Sequence, residues 1–340
     1  MRVVVAYPPS PPADLLDRLR AVAPDVDLVA CEYLEDHGRR TARGTADGAA
    51  LVAHPPPELT AEQMDAFAQA DVIMALDLPV DVRKVAPNLQ WVQAIGAGVD
   101  HLRDTLRGEP IVLTNGAGIA AVPIAEFVIG RLLGVWKRFA ELDEQQRTRA
   151  WAPAYGRELD GCTIGLVGLG AIGEAVGVRA RALGMRVLAV RRNAGTPSDA
   201  ADEVVGTDRL HDVIARSDAV VLSAPSTPET RDLFDRATFA AMKPGAVFCN
   251  VARGALVDED ALVDALQSGR LGAAIIDVTK QEPLAADSPL WDAPNLFLSP
   301  HSAASPEKYV ERLFALFEDN LGRFLRGEAL RNVVDLAAGY

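Results

Sequence analysis

The chain has 340 residues, 49% of them hydrophobic and 24% charged, with a formal net charge of −13. That length suits two hydrophobic cores better than one, and the composition is that of a globular protein rather than a disordered one. So acidic a chain excludes nucleic acid or an anionic membrane surface as its main partner, while leaving room for a small anion held locally.

Arg2 to Tyr7 reads as a strand, the proline cluster at 8–12 as its stop, and Ala13 to Val22 as a helix. Asp27 to Cys31 is a second strand. His37 to Gly48 is polar and glycine-containing, and reads as a surface loop. Asp71 to Leu76, Leu89 to Ile95 and Ile111 to Thr114 are further short strands, with helical segments between them. Ile119 to Phe139 carries Ile124, Phe127, Val128, Leu132, Val135 and Trp136 at helical spacing, and reads as a helix joining two domains. Its apolar stripe is read as packing surface, part of which could face a second subunit.

The stretch from Cys162 to Asn193 organises the rest. An apolar run, Thr163 to Val167, suits a buried parallel strand. Gly168, Gly170 and Gly173 follow at GxGxxG spacing, then a helix-like segment to Leu183 and a strand from Arg186 to Val190. In that context the first glycine permits a tight turn, the second admits a pyrophosphate close to backbone, and the third lets helix pack on strand. The helix start adds free N–H groups and a positive dipole end.

The alternation then continues. Strand-like runs occur at Ala219 to Ala224, Ala246 to Ala252, Ala273 to Val278 and Leu296 to Ser299, with helices at Asp208 to Ala215 and Glu259 to Gln267. That makes about six strands in a dinucleotide domain. Tyr309 to Leu325 is an amphipathic helix that should cross back to the first domain. The expected fold class is α/β, with two doubly wound parallel-sheet domains. A Rossmann dinucleotide-binding domain, residues 118–302, is inserted into a discontinuous flavodoxin-like substrate domain, residues 1–117 and 303–340. Cys31, Cys162 and Cys249 lie apart, with no Cys/His cluster, so neither a disulfide framework nor a metal site is expected. The apolar run at the start is too short for a signal peptide and no window spans a membrane, so a cytoplasmic location is expected.

Three strand ends carry unusual polar groups: Arg253, Asp277 with Glu282 just beyond, and His301. Taken singly these are a surface arginine, a solvated carboxylate and a turn histidine. Together they are an anion-binding guanidinium, a titratable imidazole and a carboxylate able to stabilise its protonated form, the set needed to reduce a 2-oxo acid. His37, His54 and His211 have weaker claims, and His101 is the one rival acid/base.

The segments AIGAGVDHL, IAEFVIGRLLGVWKR, GRELDGCTIGLVGLGAIG, PSTPETR, NVARGALVDEDAL, DVTKQEPL and SPHSA stand in this order over roughly residues 89 to 305. In them the chain resembles the D-isomer-specific 2-hydroxyacid dehydrogenase family, with glyoxylate/hydroxypyruvate reductases as the nearest type. The resemblance implies that Arg253 anchors the substrate carboxylate and the reacting oxygen. It implies that His301 donates the proton in reduction and that Glu282 hydrogen-bonds His301. Asp277 would hold the nicotinamide carboxamide, and Ala97, Gly98 and Val99 would offer N–H groups to the substrate carboxylate. Ala171 and Ile172 would touch the pyrophosphate, and Pro225 and Val251 would line the nucleotide.

There are two departures. Ser302 and Ala304 stand where the family often has a branched residue and a glycine. Arg191 and Arg192 end the second strand of the glycine unit, where an NAD-specific member has an acidic residue. Arginine suits a 2′-phosphate, so NADP is the preferred cofactor, with NAD possible. The expected function is NADP(H)-dependent, D-isomer-specific reduction of a small 2-oxo acid by a homodimer, suggested by Trp136, Trp151 and Tyr155. The alternatives are a phosphoglycerate-dehydrogenase-like enzyme, for which no room for a regulatory domain follows residue 330, and a non-catalytic dinucleotide sensor.

Overall fold

The computed structural model describes residues 1–45 and 48–336. The chain falls into two compact units, one of residues 1–119 with the segment from 306 onward, the other of residues 120–305. In the first, the order is β1 (Arg2–Ala6), α1 (Ala13–Val22), β2 (Asp27–Ala30), α2 (His37–Thr45), α3 (Gly48–Ala53), α4 (Ala61–Ala68), β3 (Val72–Ala75), α5 (Val82–Val85), β4 (Trp91–Ala94), α6 (Asp100–Leu106) and β5 (Val112–Thr114). The strands pair in parallel in the order β2-β1-β3-β4-β5. Parallel pairing needs a crossover after each strand, so helices cover both faces, and the central strands β1, β3 and β4 are buried along nearly their whole length. In β1, Val4 and Ala6 enter one core while Val3 and Val5 enter the other, and all four are fully buried.

The expected surface loop at 37–48 is instead largely α2, with residues 46–47 outside the described part. Its charges are spent inward. Glu35, 1% exposed, accepts from Arg43 at 2.7 Å and lies 3.3 Å from Arg39, and both arginines are buried. Asp77, wholly buried, takes Arg40 at 2.9 Å and the Glu35 N–H at 2.9 Å. A polar composition therefore misreads this segment, because opposite charges paired inside a protein look the same in sequence as charges solvated outside it.

The second unit runs α7 (Ala121–Trp136), α8 (Phe139–Thr148), β6 (Thr163–Val167), α9 (Ala171–Ala182), β7 (Arg186–Val190), β8 (Glu203–Val205), α10 (Leu210–Arg216), β9 (Ala219–Leu222), α11 (Arg236–Ala241), β10 (Ala246–Asn250), α12 (Glu259–Gln267), β11 (Leu271–Ile276) and β12 (Leu296–Leu298). Its seven parallel strands lie in the order β12-β11-β10-β9-β6-β7-β8. The extra strand relative to the expected six is β8, three residues long and too short to stand out by pattern. Chain order reverses between β6 and β9, which opens a crevice at their carboxyl ends. The predicted joining helix ends sooner than expected. Arg138 turns left-handed (φ 59°) and α8 begins a new axis.

Trp136 is not part of an exposed stripe. It is 6% exposed, under the Arg157 guanidinium 4.8 Å from its ring centroid, and packed with Val128 and Leu132 in the unit's core. Trp151 and Tyr155 are exposed. The last helix, α13 (Tyr309–Leu325), belongs to the first unit, where Phe317 and Phe324 stack within 5.4 Å of the Trp91 ring. No described helix is long and apolar enough to cross a membrane. All three cysteines are free and buried.

The buried pairing around Glu35 sets the first prediction. Glu35→Ala leaves Arg39 and Arg43 buried without their carboxylate and should cost ~3 kcal/mol or more. Asp65→Ala, which removes an exposed partner of Arg2, should cost under ~1 kcal/mol. Urea unfolding measures both, and equal costs would contradict an inward-facing α2.

Candidate active site

The site begins at the turn after β6. Gly168 sits at φ +103°, and a Cβ there would lie 2.7 Å from the Ala224 nitrogen, so both backbone conformation and close approach demand glycine. A Cβ on Gly173 would collide with the Gly168 carbonyl, whose oxygen also accepts from Ser223 Oγ at 3.0 Å. Above Gly170 there is open space, with nothing within 4 Å of a Cβ placed there. Gly170 is the N-cap of α9, so Ala171 and Ile172 form its first turn and their N–H groups face that space without a preceding helical turn. Pro225 follows β9 and Val251 follows β10 on the same sheet edge, Val251 N–H donating to the Leu222 carbonyl at 3.2 Å.

At the end of β7, Arg191 holds its Nε and Nη2 buried with no hydrogen-bond partner. Buried guanidinium nitrogens are rarely left so, and an anion would satisfy them. Arg192 is exposed. It contributes to lowering the Glu229 carboxyl, behind the Thr227 hydroxyl and backbone donors that dominate there. The residues present thus fit a dinucleotide, with open backbone for its pyrophosphate and unmatched cationic donors at the ribose end.

Three loops on the same edge carry the rest. Arg253 follows β10 in a turn pinned by Asn250, whose amide donates to the Arg253 carbonyl at 3.0 Å while its oxygen accepts from the Ala252 N–H at 2.9 Å. Asn250 is wholly buried. A Cβ on Gly254 would overlap Thr279, so this turn lies hard against the loop that carries Glu282. Glu282 Oε2 lies 2.8 Å from His301 Nδ1, and Glu282 Oε1 accepts from the Thr279 N–H at 3.1 Å. His301 itself is in the left-handed region, φ 50°, at a cost on the order of 1 kcal/mol.

Burial alone would push the Glu282 carboxyl up. The His301 hydrogen bond and charge, the Thr279 N–H and the Arg253 charge outweigh it and hold the group below the usual carboxylate range. A lowered carboxyl stays ionised as pH falls, so the pair persists on the acid side and is lost only as pH drops through that depressed value.

Asp277, 4% exposed, spends its carboxylate within the chain. Oδ1 accepts from Ser299 Oγ at 2.6 Å and from the N–H groups of Ser302 at 2.9 Å and Ala303 at 3.1 Å. Ser302 thus serves through its backbone at the first position of departure from the family pattern.

In the first unit, the turn after β4 has its carbonyls taken one by one. Ile95 accepts from the Tyr309 hydroxyl at 2.8 Å, Gly96 from the Gly116 N–H at 2.8 Å, Ala97 from Asn115 Nδ2 at 2.9 Å, and Val99 from the Leu102 N–H at 2.9 Å. Among the described residues, the N–H groups of Ala97, Gly98 and Val99 meet no acceptor. Such a run of free N–H groups is suited to an anion. The rival His101 donates from Nε2 to the Leu76 carbonyl at 2.7 Å. Burial, the largest effect on it, lowers its pKa and favours the neutral ring, so it serves structure. His54 pairs with Asp36 at 3.0 Å on the surface. Among the described residues no His/Cys/Asp/Glu group is arranged to hold a metal ion.

Asn250, Ser299, Asn115 and Tyr309 were not singled out as site residues from sequence. The available signal was polar side chains at the ends of apolar strands, which marks a turn but not the partner it holds.

A doubly wound unit with a glycine cradle at its switch point, and a histidine–glutamate pair with an arginine on the same edge, defines a dinucleotide-binding protein with acid/base capacity. A family model described as "D-isomer specific 2-hydroxyacid dehydrogenase, NAD binding domain" matches residues 129–303. The chain is 32% identical over 288 residues, 82% of its length, to glyoxylate/hydroxypyruvate reductase B of Klebsiella pneumoniae, of which it covers 89%. It is 33% identical over 280 residues, 81% of its length, to D-3-phosphoglycerate dehydrogenase of Mycobacterium leprae, and spans about half (53%) of that relative. The solved NADPH-dependent glyoxylate/hydroxypyruvate reductase of Sinorhizobium meliloti, in complex with NADP and sulfate, superimposes with a TM-score of 0.78 at 27% identity, covering 100% of this chain and 99% of that one. The chain belongs to the D-isomer specific 2-hydroxyacid dehydrogenase family, and its second unit carries the family's NAD-binding domain.

Removing His301 removes the pair's hydrogen bond and charge but leaves the burial. In His301→Ala the Glu282 carboxyl should therefore titrate at higher pH than in the parent protein, as followed by 13C NMR of labelled glutamate. An unmoved midpoint would show that the 2.8 Å contact does not persist in solution.

Proposed function

We propose that the protein is an NADP(H)-dependent oxidoreductase that reduces a small 2-oxo acid of the glyoxylate or hydroxypyruvate kind to the D-2-hydroxy acid. The observation that carries the reading is the His301–Glu282 pair, 2.8 Å apart, on the strand edge that also bears Arg253 and the glycine cradle. A nicotinamide dinucleotide supplies the two-electron reducing equivalent when bound. His301 gives the proton that the developing alkoxide requires, and Glu282, 2.8 Å from Nδ1, holds the imidazole in place to give it. Arg253 orients the substrate carboxylate and stabilises charge growing on the keto oxygen. In the first unit, the N–H groups of Ala97, Gly98 and Val99 are suited to a substrate carboxylate. Gly168, Gly170, Ala171, Ile172 and Gly173 receive the pyrophosphate, with Pro225 and Val251 along the nucleotide and Asp277 towards the carboxamide.

The orphaned nitrogens of Arg191, with Arg192 beside it, support NADP over NAD. The Sinorhizobium reductase, crystallised with NADP, points the same way. Similarity to D-3-phosphoglycerate dehydrogenases favours a second reading, in which the acid carries a phosphate. Exposed Trp151, Tyr155, Phe139 and Leu142 support a homodimer, which a monomer mass by light scattering at micromolar concentration would reject. A cytoplasmic location belongs to the same reading.

A panel of 2-oxo acids, phosphorylated and not, with NADPH and NADH tests the substrate and cofactor together. Turnover of glyoxylate or hydroxypyruvate with NADPH is expected, and inertness towards every 2-oxo acid with either nucleotide would leave a dinucleotide sensor. Arg191→Ala with Arg192→Ala should reduce the NADPH preference by roughly ten- to hundredfold for each charged hydrogen bond lost, one such bond being worth ~1.5–3 kcal/mol. A preference that does not move would assign the 2′-phosphate elsewhere. His301→Ala should lower kcat by ~10²- to 10⁴-fold with nucleotide binding intact. Arg253→Ala should raise KM and lower kcat together. If His301→Ala keeps near-parental kcat across the pH range, the proton comes from another group.

A further inference from the structure

We infer that Asp277 is a positioning residue for His301, gripping the histidine's loop on both sides so that the imidazole is held against Glu282. This rests on the proposed reading only in taking His301 as the proton donor. The grip has two hands. The carboxylate takes the residue two before His301, through Ser299 Oγ at 2.6 Å, and the two residues after it, through Ser302 N–H at 2.9 Å and Ala303 N–H at 3.1 Å. The Ala303 N–H is shared with Oδ2, also at 3.1 Å. The main-chain carbonyl of Asp277 takes the third point, accepting from the His301 N–H at 2.8 Å.

A left-handed histidine (φ 50°) persists only where its surroundings over-determine it. Here the bracket comes from one residue at the end of the neighbouring strand β11. Three donors converge on Oδ1 and the Ala303 N–H also reaches Oδ2, so both oxygens serve as acceptors, which a carboxylate provides and an amide, with one oxygen, does not. An asparagine at 277 would bring an NH2 group among N–H and O–H donors. Oδ1 is filled by the loop, and Oδ2 is the oxygen with capacity left for a ligand. The two oxygens therefore divide the labour, and the loop has the larger share.

Asp277→Asn tests the grip in isosteric form, and Ser299→Ala tests it without touching the carboxylate or any ligand it holds. In both variants His301 should drift from Glu282. The Glu282 carboxyl, faced by His301, Arg253 and the Thr279 N–H, should then titrate at higher pH in the nucleotide-free protein, approaching its midpoint in His301→Ala. For Asp277→Asn kcat should fall ~10- to 100-fold, the size of effect that a misplacement of about 1 Å produces. Ser299→Ala should show the same direction to a lesser degree. KM for the oxo acid and the dissociation constant of NADPH should stay within about threefold of the parent. A Glu282 midpoint unmoved in both variants, with NADPH affinity down tenfold or more in Asp277→Asn, would overturn the inference and leave Asp277 as a nicotinamide ligand alone. If Asp277→Asn does not fold, Ser299→Ala decides by the same titration. Should the parent protein reduce no 2-oxo acid while the midpoint still moves, the grip stands and only the reaction reading falls.

Discussion

A parallel sheet sends the carboxyl ends of all its strands to one edge, and the polar chemistry of this molecule depends on that geometric fact. Strands buried on both faces have no room for charge along their length, and β6, β9 and β10 carry none. Charge is confined to the strand ends, as with Arg186 at the start of β7 and Glu203 at the start of β8. Because the seven strands are parallel, the exits of β6, β7, β9, β10, β11 and β12 lie side by side, and residues scattered from Gly168 to Ala303 in sequence share one rim. Each exit must then be braced, since a turn has no ladder to hold it. The braces are short polar side chains at the strand ends: Asn250 for the Arg253 turn, Ser223 on the Gly168 carbonyl, Asp277 for the His301 turn.

These braces explain why the reactive groups themselves are left less encumbered. His301 is half exposed and Glu282 a quarter exposed in their side chains, so the pair they form is worth little as a stability element. Asn250 and Asp277 lie behind them, buried and hydrogen-bonded to the loops they hold, where each interaction is stronger for being out of water. The cost of a left-handed histidine is met by neighbours that take no part in proton transfer. The same division holds in the first unit. Asn115, Gly116 and Tyr309 consume the carbonyls of the turn after β4, and that leaves its N–H groups directed elsewhere.

Legibility in sequence followed periodicity. The strands, α1, α9, α12 and α13 were readable because burial writes a pattern every two or 3.6 residues. The glycine cradle was readable because steric need at Gly168 and Gly173 admits one residue type. α2 was not readable. Arg39, Arg40 and Arg43 resemble a solvated segment until Glu35 and Asp77, the latter remote in sequence, are seen to meet them. Trp136 failed for the related reason that its cover, Arg157, arrives from a segment without periodicity. β8 failed on length alone. At the site, the identities of Arg253, Asp277, Glu282 and His301 were visible as odd polar residues at strand ends, but Asn250 and Asp277 also hold backbone, and which backbone a side chain holds is settled only by the fold.

The net charge adds a last constraint. A chain carrying −13 repels anions at long range, and on the proposed reading both the nucleotide and the oxo acid are anions. Screening confines that repulsion to about 8 Å at physiological ionic strength, so what remains must be overcome by groups in direct contact. The donors of the second unit are of that kind: the buried, unmatched nitrogens of Arg191 and the N–H groups at the start of α9. Backbone donors carry no titration and no counter-ion, so their attraction does not depend on pH. Recognition built this way is selective before it is fast. An anion gains only where its own shape brings its oxygens onto these fixed donors.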